Sequence, residues 1–136
     1  MAAKHCRLLG HLSTGDIASW LRRASIYAFP AKYEPFGLSV LEAALGGCAL
    51  VLSDLPTLRE RWDGAAVFVE PDEHTILRLA LDALIGDSGL RHTLAMRARR
   101  RALDLTPERM ARGYLALYRE LLARRAPYTE AQACAS

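Results

Sequence analysis

The chain has 136 residues, of which 51% are hydrophobic and 24% charged, and its formal net charge is +3. This length fits one domain, and the composition is typical of a globular protein rather than a disordered or fibrous one. The longest nearly apolar stretch, residues 43–52, is well short of the roughly 20 residues that cross a bilayer, and no apolar leader precedes Asp16, so we expect a cytoplasmic protein without a membrane span.

Short apolar runs alternate with amphipathic segments along the chain, which predicts an α/β fold: a parallel sheet with crossover helices. Residues 7–9 are predicted as the first strand. Ser13, followed three residues later by Asp16, predicts the capped start of a helix. A second strand is predicted over residues 25–29, and it ends at Pro30 because proline cannot donate to the ladder.

The later elements follow from turn residues and apolar periodicity. In order, they are a helix over residues 38–45, a strand over 49–52, a short helix after a turn at 53–56, a strand over 66–69, and helices that begin near Pro71, Asp87 and Pro107. The glycine pair at 46 and 47 ends the first of these helices, and Thr106 caps the last. We predict one domain over residues 1–125, helical in its C-terminal part, and a disordered tail over 126–136.

Cysteine and arginine usage excludes several kinds of site. Cys6, Cys48 and Cys134 are odd in number and form no CxxC pair, so we predict free thiols rather than a disulfide framework or a zinc site. Five arginines lie between residues 91 and 101. They lack interleaved aromatic residues, so we interpret them as a solvated helix face and expect no nucleic-acid binding.

The segment over residues 26–45 carries the candidate site, because a loop and a helix start follow a strand there. Ligands of open parallel sheets bind beyond the carboxyl ends of the strands. Gly37 allows close backbone approach, and the amides at a helix start favour a phosphate. Glu42 lies about 7 Å further along the helix, roughly a phosphate-to-ribose step. From spacing alone, Glu34 and Glu42 could equally be ordinary solvent-facing acids.

Residues 30–54, PAKYEPFGLSVLEAALGGCALVLSD, resemble the signature of the group 1 retaining glycosyltransferases of the GT-B fold. That family has two glutamates separated by seven residues, here Glu34 and Glu42. The likeness extends to Glu60 before an Asp-Gly turn and to Tyr118, and it covers roughly residues 7–122. It implies a Rossmann-like, partial C-terminal domain that binds the donor of a two-domain enzyme.

The resemblance also implies the chemistry: transfer of a hexosyl group from a nucleotide-diphosphate sugar to an acceptor hydroxyl, with retention and without a metal or other cofactor. Glu34 would be the catalytic residue at the sugar, and Glu42 would hold the ribose. The backbone of residues 36–38 would meet the sugar hydroxyls, and that of 38–39 the diphosphate. The donor-binding set is therefore Glu34, Phe36, Gly37, Leu38, Ser39 and Glu42.

The family's N-terminal acceptor domain has no counterpart in this chain, and neither does its diphosphate-binding Arg and Lys pair. We therefore expect the chain to be inactive by itself and to need that domain or a partner chain, through which any peripheral membrane association would also come. The apolar stripe of the last helix predicts a homo-oligomer or a separate partner. The alternative is a stand-alone nucleotide-sugar-binding or scaffolding module without catalysis. A nicotinamide-binding domain is disfavoured, because no GxGxxG follows a strand, although Asp54 mimics its ribose-binding acid.

Overall fold

The structure is a computed structural model, and it describes residues 5–124. In order, its elements are α1 (Thr14–Arg23), β1 (Ile26–Phe29), α2 (Leu38–Gly46), β2 (Ala49–Ser53), α3 (Pro56–Trp62), β3 (Ala66–Val69), α4 (His74–Gly86), α5 (Ser88–Leu103) and α6 (Pro107–Arg124). Cys134 and the predicted tail lie outside the described residues. No helix within residues 5–124 has the length and apolar character needed to cross a membrane.

The three strands form one parallel sheet in the order β1-β2-β3. Phe29 of β1 lies opposite Leu52 of β2, and Ser53 of β2 lies opposite Val69 of β3. All five residues of β2 are buried, as expected for a central strand covered by helices on both faces. The predicted α/β fold is confirmed, and the carboxyl ends of all three strands meet at one edge of the sheet.

The predicted first strand over residues 7–9 is wrong. These residues pair with neither edge of the described sheet, and Leu8 is 98% exposed. A strand depends on the hydrogen bonds of a neighbouring strand, and this segment has no such neighbour among the described residues. Arg7 instead places its guanidinium 5.9 Å from the centre of the Trp20 ring on α1.

One hydrophobic cluster holds the sheet to α4 and α5. It joins Ala49 and Val51 of β2 to Val69 of β3, Leu84 of α4 and Leu94 of α5. Leu77, Ala80 and Leu81, one and two turns before Leu84 on α4, pack on the same cluster, so one face of this helix is turned to the core. These contacts fix the strands, and thereby the loops at their carboxyl ends.

The turn between α2 and β2 packs closely against the C-terminal part of α1. A Cβ on Gly46 would lie 3.1 Å from the carbonyl carbon and oxygen of Leu21, so the two helix backbones touch there. Gly47 ends α2 in the left-handed conformation with φ +91°. The buried thiol of Cys48 donates to the carbonyl oxygens of Leu21 at 3.2 Å and Ala24 at 3.4 Å, at the end of α1.

The arginine-rich segment is not simply a solvated face, which corrects the sequence-based interpretation. Three of its arginines bond to backbone carbonyls of other elements: Arg91, Arg97 and Arg101. Arg101 donates to the carbonyl oxygens of Arg61 at 2.8 Å and Asp63 at 2.7 Å, just where α3 ends. A guanidinium at a helix C-terminus stabilises its unpaired carbonyls, so part of the basic excess serves the fold.

Contacts divide the chain into two compact units, the first ending at Leu103 and the second beginning at Asp104. In the second unit the predicted cap of α6 is confirmed, because the Thr106 hydroxyl accepts from the Arg109 amide at 3.2 Å. The rings of Tyr114 and Tyr118 stack along this helix, 6.3 Å apart. The domain bounds of 1–125 and the self-association of the helix stay predictions.

Candidate functional site

The loop over residues 30–37 leaves β1 at the carboxyl edge of the sheet and enters α2 through Gly37. This glycine is buried and adopts φ +81° and ψ +53°, a left-handed conformation that L side chains rarely take. A Cβ there would lie 3.2 Å from Leu58 and 3.3 Å from Val40. Both its conformation and its surroundings therefore require glycine at the start of α2.

The carboxylate of Glu34 turns back onto the backbone of its own loop. Its Oε1 accepts hydrogen bonds from the amides of Phe36 at 3.1 Å and Gly37 at 2.7 Å. Glu34 is only partly exposed. A negative charge at the start of a helix is stabilised by unpaired amides and by the helix dipole. Glu34 is therefore not an ordinary solvent-facing acid.

Two further amides stand at the start of α2. The first hydrogen bond of the helix runs from the Leu41 amide to the Gly37 carbonyl at 2.9 Å. The amides of Leu38 and Ser39 precede that bond, so they have no acceptor within the helix. Leu38 is 67% exposed, which leaves this end of α2 accessible. These are the amides to which the family resemblance assigns the diphosphate.

Glu42 lies one turn along α2 and is exposed. It lines a cavity of about 250 Å³ between α1 and α2, together with Thr14, Ala18, Leu21, Arg22, Leu45 and Gly46. The cavity is mainly apolar, with Glu42 and Arg22 as its charged members. Glu34 does not line it, so the two glutamates do not share this cavity.

Tyr27 on β1 connects the surroundings of the two glutamates, and sequence reasoning missed it. Burial is the main cause that raises the pKa of its phenol above the usual 10.0, whereas the side chain of Ser39 opposes the rise. The charges of Glu42, Cys48 and Glu34 raise it further. The negative charges of both glutamates thus act on the ionisation of this one phenol. Side chains alternate between the two faces of a strand, and this alternation along β1 is the signal that could have indicated the face on which Tyr27 lies.

Helix α3 supplies contacts to the loop that no sequence pattern indicated. The Thr57 hydroxyl donates to the backbone carbonyl of Glu34 at 2.6 Å. One turn later, the Arg61 guanidinium lies 4.6 Å from the centre of the Phe36 ring. The residues that meet here are more than 20 positions apart in the chain, so only the fold brings them together.

Two ion pairs lie at this edge of the sheet. Arg59 holds the carboxylate of Asp54 with two hydrogen bonds of 2.5 and 2.6 Å, and these bonds lower the pKa of Asp54 below its usual 3.8. Lys32 pairs with Asp72 at 2.7 Å. The Asp54 carboxylate is thus occupied by Arg59 and is not available to bind a ribose. Within residues 5–124, no three His, Cys, Asp or Glu side chains converge as a metal site requires.

Comparison with known proteins matches residues 1–101 to the family described as glycosyl transferases group 1. A D-inositol 3-phosphate glycosyltransferase of Salinispora arenicola is 32% identical over 134 residues, which is 96% of this chain and 30% of that relative. A phosphatidyl-myo-inositol mannosyltransferase of Mycolicibacterium smegmatis is 35% identical over 102 residues, 73% of this chain and 26% of the relative. Among solved structures, a sucrose-phosphate synthase from Thermosynechococcus elongatus matches with a TM-score of 0.79 at 25% identity, over 90% of this chain and 32% of that one. The chain spans about a third or less of the length of these proteins.

Proposed function

Because the chain belongs to the group 1 glycosyl transferases, with the fold of a partial GT-B domain, we propose that residues 30–42 bind a nucleotide-diphosphate sugar. In the complete protein this sugar would be transferred to an acceptor hydroxyl with retention at the anomeric carbon. The chain covers 30% of the length of its Salinispora relative, and we propose that a separate domain or partner chain binds the acceptor. We also propose that transfer needs no metal and that the protein is cytoplasmic.

One observation carries this proposal: a carboxylate and a row of amides meet at the start of α2. Oε1 of Glu34 accepts from two backbone amides, and its Oε2 has no hydrogen bond to any described residue. Each carboxylate oxygen can accept two hydrogen bonds. Oε2 can therefore accept from a sugar hydroxyl while Oε1 keeps the loop in place. Glu34 would thus orient the donor sugar.

The amides of Leu38 and Ser39 suit the leaving group. Departure of the nucleoside diphosphate concentrates negative charge on its phosphates in the transition state. Amides and a helix dipole that already point to that position stabilise the transition state more than the ground state. Glu42, one turn further along α2, would accept from the ribose hydroxyls. The order sugar, diphosphate and ribose then follows the direction of the helix.

The donor half of this proposal is tested by isothermal titration of the chain with uridine and guanosine diphosphate sugars. We expect binding of one nucleotide type, and Glu42→Gln should weaken it about tenfold or more, because it removes a charged acceptor. Glu120→Gln is the matched control, since Glu120 pairs with Arg124 on α6 and should not affect binding. Chelation of divalent metals should leave the affinity unchanged. Absence of binding to either donor would support the scaffolding alternative.

The catalytic half is tested in a longer protein that includes the acceptor domain. Glu34→Gln keeps the size of the side chain but removes its charge, and we expect it to lower kcat by roughly 100-fold or more. The fold should survive, because the amide oxygen of glutamine can still accept from the backbone. A Glu34→Gln enzyme with unchanged kcat would contradict the role assigned to Glu34.

A further inference from the structure

We propose that α3 holds the donor loop in its working conformation, with Thr57 and Arg61 as positioning residues. The proposal rests on the donor-binding role given above to the loop. It identifies the residues outside the loop that keep Glu34 and the following amides in place. Neither residue would touch the donor itself.

The Thr57 hydroxyl acts on the backbone of Glu34. Its Oγ1 donates to the Glu34 carbonyl oxygen at 2.6 Å, near the short limit for a hydrogen bond between two oxygens, and the contact is partly buried. The side chain of the same glutamate closes the loop onto Phe36 and Gly37. Glu34 is therefore fixed by its carbonyl from one side and by its carboxylate from the other. Loss of the hydroxyl would free the carbonyl and loosen the turn that aims the carboxylate.

Arg61 holds the next part of the loop. Its guanidinium lies over the Phe36 ring, 4.6 Å from the centre, a favourable cation–π distance. Its Nη1 also donates to the Thr57 carbonyl oxygen at 3.0 Å, which fixes the arginine side chain along α3. Leu58, between these two on the helix, lies 3.2 Å from where a Cβ of Gly37 would be. Three residues of α3 thus lie against three residues of the loop.

Helix α3 can serve as a support because it is itself fixed. Leu58 is fully buried and Trp62 is only 1% exposed. The end of the helix is held by Arg101 of α5 through two carbonyl oxygens. The loop therefore packs against a helix that is anchored in the core, and the position of α3 determines that of Glu34.

The test compares two variants at one position. Thr57→Val removes the hydroxyl and keeps the shape, whereas Thr57→Ser keeps the hydroxyl. Hydrogen exchange of the ligand-free chain measures the amides of Phe36 and Gly37, and those of β2 report whether the fold is intact. We expect Thr57→Val to speed exchange at the two loop amides about tenfold, as for the loss of one hydrogen bond, without change in β2. Thr57→Ser should restore slow exchange.

Donor binding gives the second readout, by titration with uridine and guanosine diphosphate sugars. Thr57→Val should weaken binding about tenfold and Thr57→Ser should retain it, since only the hydroxyl matters. If Thr57→Val exchanges at the wild-type rate in the loop, the proposal is wrong. If the wild-type chain binds neither donor, the proposed function is contradicted, and the exchange data still decide whether Thr57 holds the loop. Should Thr57→Val fail to fold, Arg61→Leu tests the same support, with faster exchange expected at Phe36.

Discussion

Replacing Gly37 with alanine should destabilise the protein through two separate effects. The first is conformational: a residue with a Cβ at φ +81° incurs about 1–2 kcal/mol. The second is steric, because the new Cβ would lie 3.2 Å from Leu58 and 3.3 Å from Val40, both fully buried. Overpacking a dense core costs about 1–3 kcal/mol. We therefore expect Gly37→Ala to lower the free energy of unfolding by about 2–5 kcal/mol.

Gly47→Ala is the matched control that separates the two effects. Gly47 adopts a similar φ of +91°, but a Cβ there would meet nothing within 4 Å. It should show the conformational part alone, so the difference between the two variants measures the steric part. Urea unfolding followed by tryptophan fluorescence, to which the buried Trp62 and the more exposed Trp20 both contribute, provides the assay. The two midpoints should differ by about 1 M at ordinary urea m-values. Equal midpoints would refute the view that α3 packs closely behind the loop.

Three further outcomes follow from other contacts. Gly46→Ala should lower the urea midpoint even though alanine favours helix by about 1 kcal/mol, because its Cβ would lie 3.1 Å from the Leu21 backbone; a raised midpoint would contradict this. Burial raises the pKa of the Cys48 thiol, so iodoacetamide at pH 8 should label the exposed Cys6 much faster than Cys48. Mass spectrometry of the labelled peptides measures the two rates, and equal rates would contradict a buried Cys48 thiol. The hydrogen bonds from Arg59 lower the pKa of Asp54, so its carboxylate stabilises the fold above pH 3.8 and loses this effect as the pH falls below that value. Asp54→Asn should therefore lower the urea midpoint at pH 7, and the difference from the wild type should shrink as the pH is lowered below 3.8.

Local patterns predicted most of the fold because they reflect local physics. The strand over residues 66–69 and the helix start at Leu38 lie where composition and turn residues placed them. Helix caps at Ser13 and Thr106 were also predictable, since a cap bonds to an amide three residues away. The predicted strand over residues 7–9 failed because a short run with only two apolar residues says nothing about whether another strand lies beside it.

The sequence singled out candidate site residues, which stay a prediction, but it did not give their geometry. The sequence placed Glu34 in the loop before a helix, but it did not show that the carboxylate bonds to the amides of its own loop. It gave no sign of Thr57, whose partner is 23 residues away, because such a contact exists only after α3 packs against the sheet. The same holds for Arg101, whose role as a cap of α3 depends on the approach of α5.

The junction between α2 and β2 leaves no room for a change in chain length. Four consecutive positions are each constrained there. Gly46 lies against α1 and Gly47 adopts the left-handed conformation. The Cys48 thiol hydrogen-bonds to a carbonyl oxygen of α1, and the Ala49 amide donates to the Ser25 carbonyl oxygen at 3.0 Å. One inserted residue would displace all four and turn the buried strand by one side-chain position, exchanging its two faces. Insertions, tags and split points should therefore be tolerated between α5 and α6 and rejected here.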